Sequence, residues 1–370
     1  MLRQRQIILA KVEPAYATDA APVPATNSIL AELADIKIVG RALERNNVKS
    51  YFGKLATVNV GDALKIDFVT ELKASGAAGT VPEIGVLFRG CNFTETIQSS
   101  SGAVVWVATT AKSLNNLVTP TVANGFYYKC TVAGTTGASQ PAWPTVEGQT
   151  VVDGTVTWTC MVAKVDYDPN SNTSTSESLS LYFYLDGLLH KLLGCRGTFS
   201  MDLKSGEYGK GKWSFTGLYA KPTDQALVTG TYNQTIPPRF LSANFSIDAY
   251  AAIIENMSID CGNLIVKRTD ANHATGIREY FIKDRQMTGS IDPEATLIGT
   301  KDFYSMWDQS SRVAFAATVG QVAGNKCIIT GPKVSLGELD YGDREGTLTL
   351  PQKLNFTPNA GNDEIKFSFQ

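Results

Sequence analysis

"SLSLYFYLDGLLHKLLGCRGTFSMDLKSGEYGKGKWSFTGLY", residues 178–219, alternates apolar and polar side chains on both sides of an Asp186-Gly187 pair. Alternation with a period of two describes a strand with one buried face, and Asp-Gly between two such runs is a hairpin signal. The same alternation recurs outward from this stretch. It is found in "LKIDFVTEL" (64–72), "NLIVKR" (263–268) and "GTLTLPQKL" (346–354), with Gly, Asn and Asp between runs. The chain therefore reads as mainly β, built from many half-buried antiparallel strands. Helical candidates are few and short. One is 80–90, where Thr80 is placed to cap and Pro82 lies in the first turn. The other is 300–309, with Phe303, Met306 and Trp307 on one face.

The order of elements repeats. A strand, a short helix, a hairpin and a closing strand occur in the first half and again in the second. The best local match sets "SGEYGKGKWSF" (205–215) against "LGELDYGDREGTLTL" (336–350). Each half reads as a small β-sandwich or barrel domain with one short helix, two copies in tandem from a duplication. The expected division is an N-terminal extended arm at 1–30, a first domain at 31–97 and 166–225, and a second at 226–370. Between the two parts of the first domain lies 98–165, rich in Gly, Thr and Val, with three of the five tryptophans. A Ser/Asn/Thr-rich exit, "DPNSNTSTSES", follows it. That composition describes a small all-β module inserted in a host loop, with a core of its own.

Chemistry-bearing patterns are missing. The formal net charge is -2, so no global basic field points to nucleic-acid recognition. Six scattered cysteines show no CxxC spacing and are expected to be reduced, buried thiols of a protein made in a cytosol. Ile7–Ala10 is far shorter than a signal-peptide core, and no stretch approaches the roughly 18 apolar residues of a membrane span. A non-exported chain with no membrane partner is expected. His190 and His273 stand apart from any metal-ligand set. The phosphate-loop look-alike Gly206–Lys212 is followed by Trp213 rather than Ser or Thr, and by a strand rather than a helix. The pairs Asp340/Asp343 and Asp166/Asp168 lie in turn-like loops, where carboxylates are commonly solvated. No enzyme, metal or cofactor is expected.

Residues 10–30, "AKVEPAYATDAAPVPATNSIL", are too apolar for a solvated tail and too broken by proline for a helix. Such a segment is expected to bury itself on a neighbouring molecule, since prolines lower the entropy lost on docking. Its Lys11, Glu13, Tyr16, Thr18, Asp19 and Pro22 strongly resemble the opening pattern of phage tail tube (major tail) proteins. "IKIVGRALERNNVKSYFGKLATVNVGDALKIDF" resembles that family's long hairpin with a large loop, "EIGVLFRGCNFTETI" its helix and next strand, and "LSLYFYLDGLLHKLLGCRGTF" with "GKWSFTGLY" its closing strands. The likeness covers 10–97 and 166–357; block 98–165 departs from it.

The resemblance implies a structural virion protein whose copies form stacked rings, a tail tube conducting double-stranded DNA during ejection without reading its sequence. It implies an inter-subunit arm (Lys11, Glu13, Tyr16, Asp19, Pro22) and an inter-ring loop (Arg45, Asn46, Asn47, Tyr51, Phe52). The implied partners are further copies of the chain, the tape measure protein, and the tail terminator and distal tail proteins. Localisation would be the virion tail, with the host cytoplasm during assembly. With two tube domains per chain, three chains would complete a pseudo-hexameric ring; a plain hexamer is the alternative. A DNA conduit is expected to be lined by neutral or net negative side chains, because a basic lining would retard the DNA. Rival readings are a terminator or distal adaptor ring, or a carbohydrate-binding adhesin. For Trp106, Tyr128, Trp143 and Trp158 two readings stand: the core of the small module, or a face on which sugar rings stack.

Overall fold

The computed structural model describes residues 2–370, and the chain is mainly β. Leu179–Leu185 and Leu188–Lys204 form the expected hairpin, with Leu185 opposite Leu188. Asp186 (φ 39°) and Gly187 (φ 109°) make its two-residue turn, where positive φ at both positions matches the twist of the flanking strands. Lys210–Leu218 returns alongside, with Phe199, Met201, Leu203, Trp213 and Phe215 on the core face. The outer hairpin strand is buried on both faces. Leu179, Leu181 and Phe183 enter the main core, while Tyr182 and Tyr184 pack with Ile7, Leu9 and Leu189 under Leu227 and Val228.

A six-strand order occurs twice. The first set runs, neighbour to neighbour, Gln6–Val12, Leu179–Leu185, Leu188–Lys204, Lys210–Leu218, Val58–Glu71, Asp35–Leu43. The second runs Ser246–Ile247, Arg312–Val319, Cys327–Leu339, Gln352–Phe356, Thr288–Ile291, Asn256–Asp260. Numbered along the chain within each set, both read 1-4-5-6-3-2, and every pairing is antiparallel. The sets share one sheet, because Asn256–Asp260 pairs with Ser200–Lys204. A second connection brackets them: Phe93–Gln98, Lys164–Pro169 and Lys366–Phe369 lie side by side, and the last pairs with Cys327–Thr330. The sheet does not close into a barrel within the chain.

A one-turn helix, Pro24–Asn27, lies within the stretch read as too broken for one, and the two expected helices are shorter than the sequence pattern predicts. The first is Gly85–Gly90; Thr80 does not cap it, and Pro82 sits in the preceding turn, accepting from Gly85 N (2.8 Å). Its Phe88 is the hub of an aromatic cluster with Tyr167, Phe199, Trp213 and Phe367 at 4.8–5.3 Å between ring centroids. Close approach requires Gly90, where a Cβ would lie 2.5 Å from Leu179 Cδ1. The second is Phe303–Asp308, capped by Asp302, whose carboxylate accepts from Ser305 N (2.8 Å). Phe303 and Met306 are buried as expected, but Trp307 is 49% exposed and lies off the core face.

Gln98 and Lys164 are paired neighbours in the host hairpin, so residues 99–163 leave and re-enter at one point. They build a five-stranded sheet ordered Thr150–Asp153, Val156–Met161, Tyr127–Val132, Leu117–Thr119, Val104–Val105, with the last pairing parallel. Its core of Val118, Tyr128, Cys130, Val156, Trp158 and Cys160 is separate from the main one. All six cysteines are buried and unpaired, Cys130 and Cys160 included. Burial pushes the Cys91, Cys195, Cys261 and Cys327 thiols upward.

Two independent cores joined at one point predict two separable unfolding events. Replacing 99–163 by an Asn-Gly turn between Gln98 and Lys164 should remove one calorimetric transition and leave the other within a few degrees. Loss of both transitions would show that the body depends on the insertion.

Candidate assembly surfaces

A run of four buried residues, Ile7–Ala10, is set in the central strand Gln6–Val12, between Leu179–Leu185 and Ser28–Ile29. Immediately after it the chain carries a buried carboxylate, Glu13. A buried charge is tolerated only where donors surround it. Glu13 accepts from Ser178 Oγ (2.5 Å), Ser180 Oγ (3.0 Å), Gly194 N (2.9 Å) and Ala17 N (2.8 Å). Tyr16 Oη accepts from Tyr280 N (2.7 Å), and its ring lies against Gly194 and 5.9 Å from the Arg196 guanidinium. Burial raises the Tyr16 phenol well above its ordinary value. Asp19 accepts from Tyr182 Oη (2.6 Å) and Lys191 Nζ (3.1 Å). Partial burial pushes the Asp19 carboxyl up, but those bonds and Ala21 N–H hold it below the usual range. Pro22 is buried and Lys11 exposed.

An arm buried on a neighbouring molecule was expected; within the lone chain the segment already has a place. Residues 10–30 lie on their own chain, with Glu13 as the anchor. Three of the four donors come from residues 178–194, on strands distant in sequence, and only Ala17 N lies within the segment.

The loop residues behave differently. Asp35–Leu43 and Val58–Glu71 form a long hairpin whose outer part projects from the body. Arg45, Asn46 and Asn47 are exposed at its tip, Tyr51 is 68% exposed and Phe52 wholly so. The second set carries a corresponding hairpin, Asn263–Thr269 with Ile277–Arg285. That one is docked on the first set: Ile277 and Tyr280 pack on Ala63 with Leu218 and Ile265, and Lys267 Nζ meets Asp62 at 2.9 Å. The sequence marked 263–268 as a strand and carried no sign of what it would rest on.

The sugar-stacking reading fails on burial. Trp106 and Trp158 donate their indole N–H groups to the buried Asp153 carboxylate at 2.7 and 3.0 Å. Tyr128 is fully buried, and Trp143 is packed between it and Trp158, with ring centroids at 4.1 and 6.2 Å. Tyr128 and Trp158 belong to the module's core, Trp106 is buried on Asp153, and Trp143 is partly buried against the core, so no set of open ring faces is presented.

The face of the large sheet turned away from the core is polar, and its lysines are matched by carboxylates. Lys37 meets Asp35 (3.1 Å), Lys65 meets Asp67 (3.4 Å), Lys212 meets Asp202 (2.5 Å), Lys210 meets Glu32 (2.6 Å), Lys204 meets Glu255 (3.7 Å), and Lys353 meets Glu338. The face is neither basic nor strongly acidic. Among the described residues no three His, Cys, Asp or Glu side chains are grouped to hold a metal, and no helix is long and apolar enough to cross a membrane.

The sheet is antiparallel and left open at its ends, and unpaired strand edges are sites where further chains can pair. Residues 50–358 match the family model described as phage tail tube protein, and the chain belongs to that family. It is a phage tail tube structural protein, a component of the virion tail. No curated protein matches the chain.

Glu13→Gln keeps the shape but removes the charge that orders four donors. Hydrogen bonds to a charged group contribute about 1.5–3 kcal/mol each. The variant should lose about 2–3 kcal/mol in urea unfolding and gain protease cleavage within 13–27. Unchanged stability would contradict the anchor.

Proposed function

We propose that copies of this chain close into stacked rings that form the tail tube and conduct double-stranded DNA at ejection. The observation that carries this reading is the six-strand order occurring twice within one sheet. A sheet of repeated units with unpaired edges at both ends is completed by more units, and regular twist turns such an array into a closed ring. Two units per chain make three chains the natural closure of a pseudo-hexameric ring. On this reading residues 31–97 with 166–225 are one tube domain, 226–370 the other, and 98–165 a decoration on the outside. The polar, charge-matched sheet face would line the channel. It offers no unpaired run of cations to hold phosphates, so DNA would pass without sequence recognition or strong retention.

The exposed tip at 44–57 would act between rings. Burying Tyr51 or Phe52 in a neighbour would contribute about 1.5–3 kcal/mol each, which accounts for large apolar side chains held in water in the lone chain. The tape measure protein inside the tube, and terminator and distal tail proteins at its ends, are the partners this role requires. Assembly in the host cytoplasm before release agrees with six unbridged thiols. Isolated rings that never stack would favour the terminator or adaptor alternative.

Electron microscopy of the purified chain at high concentration should show hollow tubes whose rings have six lobes but three chains by mass. Phe52→Ser should leave monomer stability within about 0.5 kcal/mol and shorten or abolish the tubes. A compact monomer at every concentration would overturn the reading.

A further inference from the structure

The two six-strand sets are related residue by residue, and that relation supplies a template. Arg196 pairs with Thr216 as Ser335 pairs with Asn355. Thr216 pairs with Lys65 as Asn355 pairs with Thr288, and Lys65 with Lys37 as Thr288 with Asp260. Asp260 therefore holds in the second set the place of Lys37 in the first. Beyond a register shift between Leu336 and Leu339, Leu339 pairs with Gln352 and Gly342 with Thr349. Their counterparts are Phe199 with Trp213 and Asp202 with Lys210. Asp340–Arg344 thus stand where Ser200–Lys204 stand.

Within the chain, Ser200–Lys204 is covered by Asn256–Asp260. In the counterpart edge, 340–344, Gly342–Arg344 pair with Thr347–Thr349 and Asp340 N donates to Pro351 O on one side, and among the described residues no strand pairs on the other. The counterpart of Asn256–Asp260 is 33–37, at the start of the strand Asp35–Leu43, which pairs only with Val58–Glu71. One free edge is the image of the donor in the internal joint and the other the image of its acceptor.

The geometry points to a joint between copies that reproduces the internal one: residues 33–37 of one chain pair antiparallel with 340–344 of the next, Lys37 opposite Asp340. This rests on the ring reading and assigns its mating edges and register. Charge agrees with it, since Lys37 and Asp340 fall opposite on the same sheet face, and opposite-charge cross-strand pairs are favourable. Carried over with the joint, the projecting hairpin lies on its neighbour as Asn263–Arg285 lies on the first set. There it meets Arg285, Gln286, Asn355 and Phe356, which form one wall of a groove of about 1180 Å³. The two kinds of joint are not equal. The bracket from Lys164–Pro169 through Lys366–Phe369 to Cys327–Thr330 strengthens the internal one alone. Rings should therefore come apart between chains before any chain opens between its halves.

The test is the double variant Lys37→Cys/Asp340→Cys, assembled and then oxidised. Both sites are exposed and all native thiols are buried, so the new pair reacts alone. A non-reducing gel should show dimers and then a covalent trimer as the final species, with no larger ladder. Lys37→Cys/Arg344→Cys, four residues out of register, should stay monomeric. Rings seen by microscopy without the cross-link, or with the control linking equally, would overturn this joint while leaving the ring reading intact. Absence of rings would overturn both.

Discussion

Five residues, Asn256–Asp260, hydrogen-bonded along Ser200–Lys204, hold two six-strand arrays in one sheet. Everything distinctive about the molecule follows from that joint. It sets the arrays side by side rather than as separate bodies, and brings the second set's hairpin down onto Tyr16, Asp62 and Ala63. It also leaves each array with one edge satisfied by its sibling and one edge bare. Unpaired strand edges are a hazard in a protein meant to stay alone, and natural proteins commonly blunt them. Here the edge Asp35–Leu43 belongs to a hairpin that extends further into water and ends in Tyr51 and Phe52.

The N-terminal segment shows how such a chain stays orderly before it meets others. Glu13 draws Ser178, Ser180 and the bulged Gly194 together, and Asp19 draws in Tyr182 and Lys191. These bonds seal the bulge of the longest strand, where Arg196 lies against Tyr16. The segment acts as a clasp across the first array and, through Tyr16 and Tyr280, as a tie between the arrays. Burial of the carboxylate makes the clasp specific, because a buried charge without its donors is costly.

Much of the architecture was legible in the sequence. Period-two alternation marked the strands, and Asp186-Gly187 marked the hairpin. The composition of 98–165 marked the insertion. The parts that were not legible have several causes. Residues 10–30 read as homeless because three of the four groups that bind Glu13 lie more than 160 positions away. For the tryptophans a sugar face stood beside the core reading because Asp153, which accepts from Trp106 and Trp158, carried only a turn signal. Trp307 was placed on one face with Phe303 and Met306, and the helix Phe303–Asp308 buries those two while leaving Trp307 half exposed. The joint itself was hidden in "NMSID", too short to show a period.

The account stands on two bare edges that only further copies can satisfy. Hydrogen exchange of the backbone amides at 33–37 and 340–344, compared between dispersed chain and assembled tubes, measures that directly. Fast exchange of the outward-facing amides in the dispersed chain and strong protection of them in tubes is the predicted result. Equal exchange in both states, with tubes present, would contradict it.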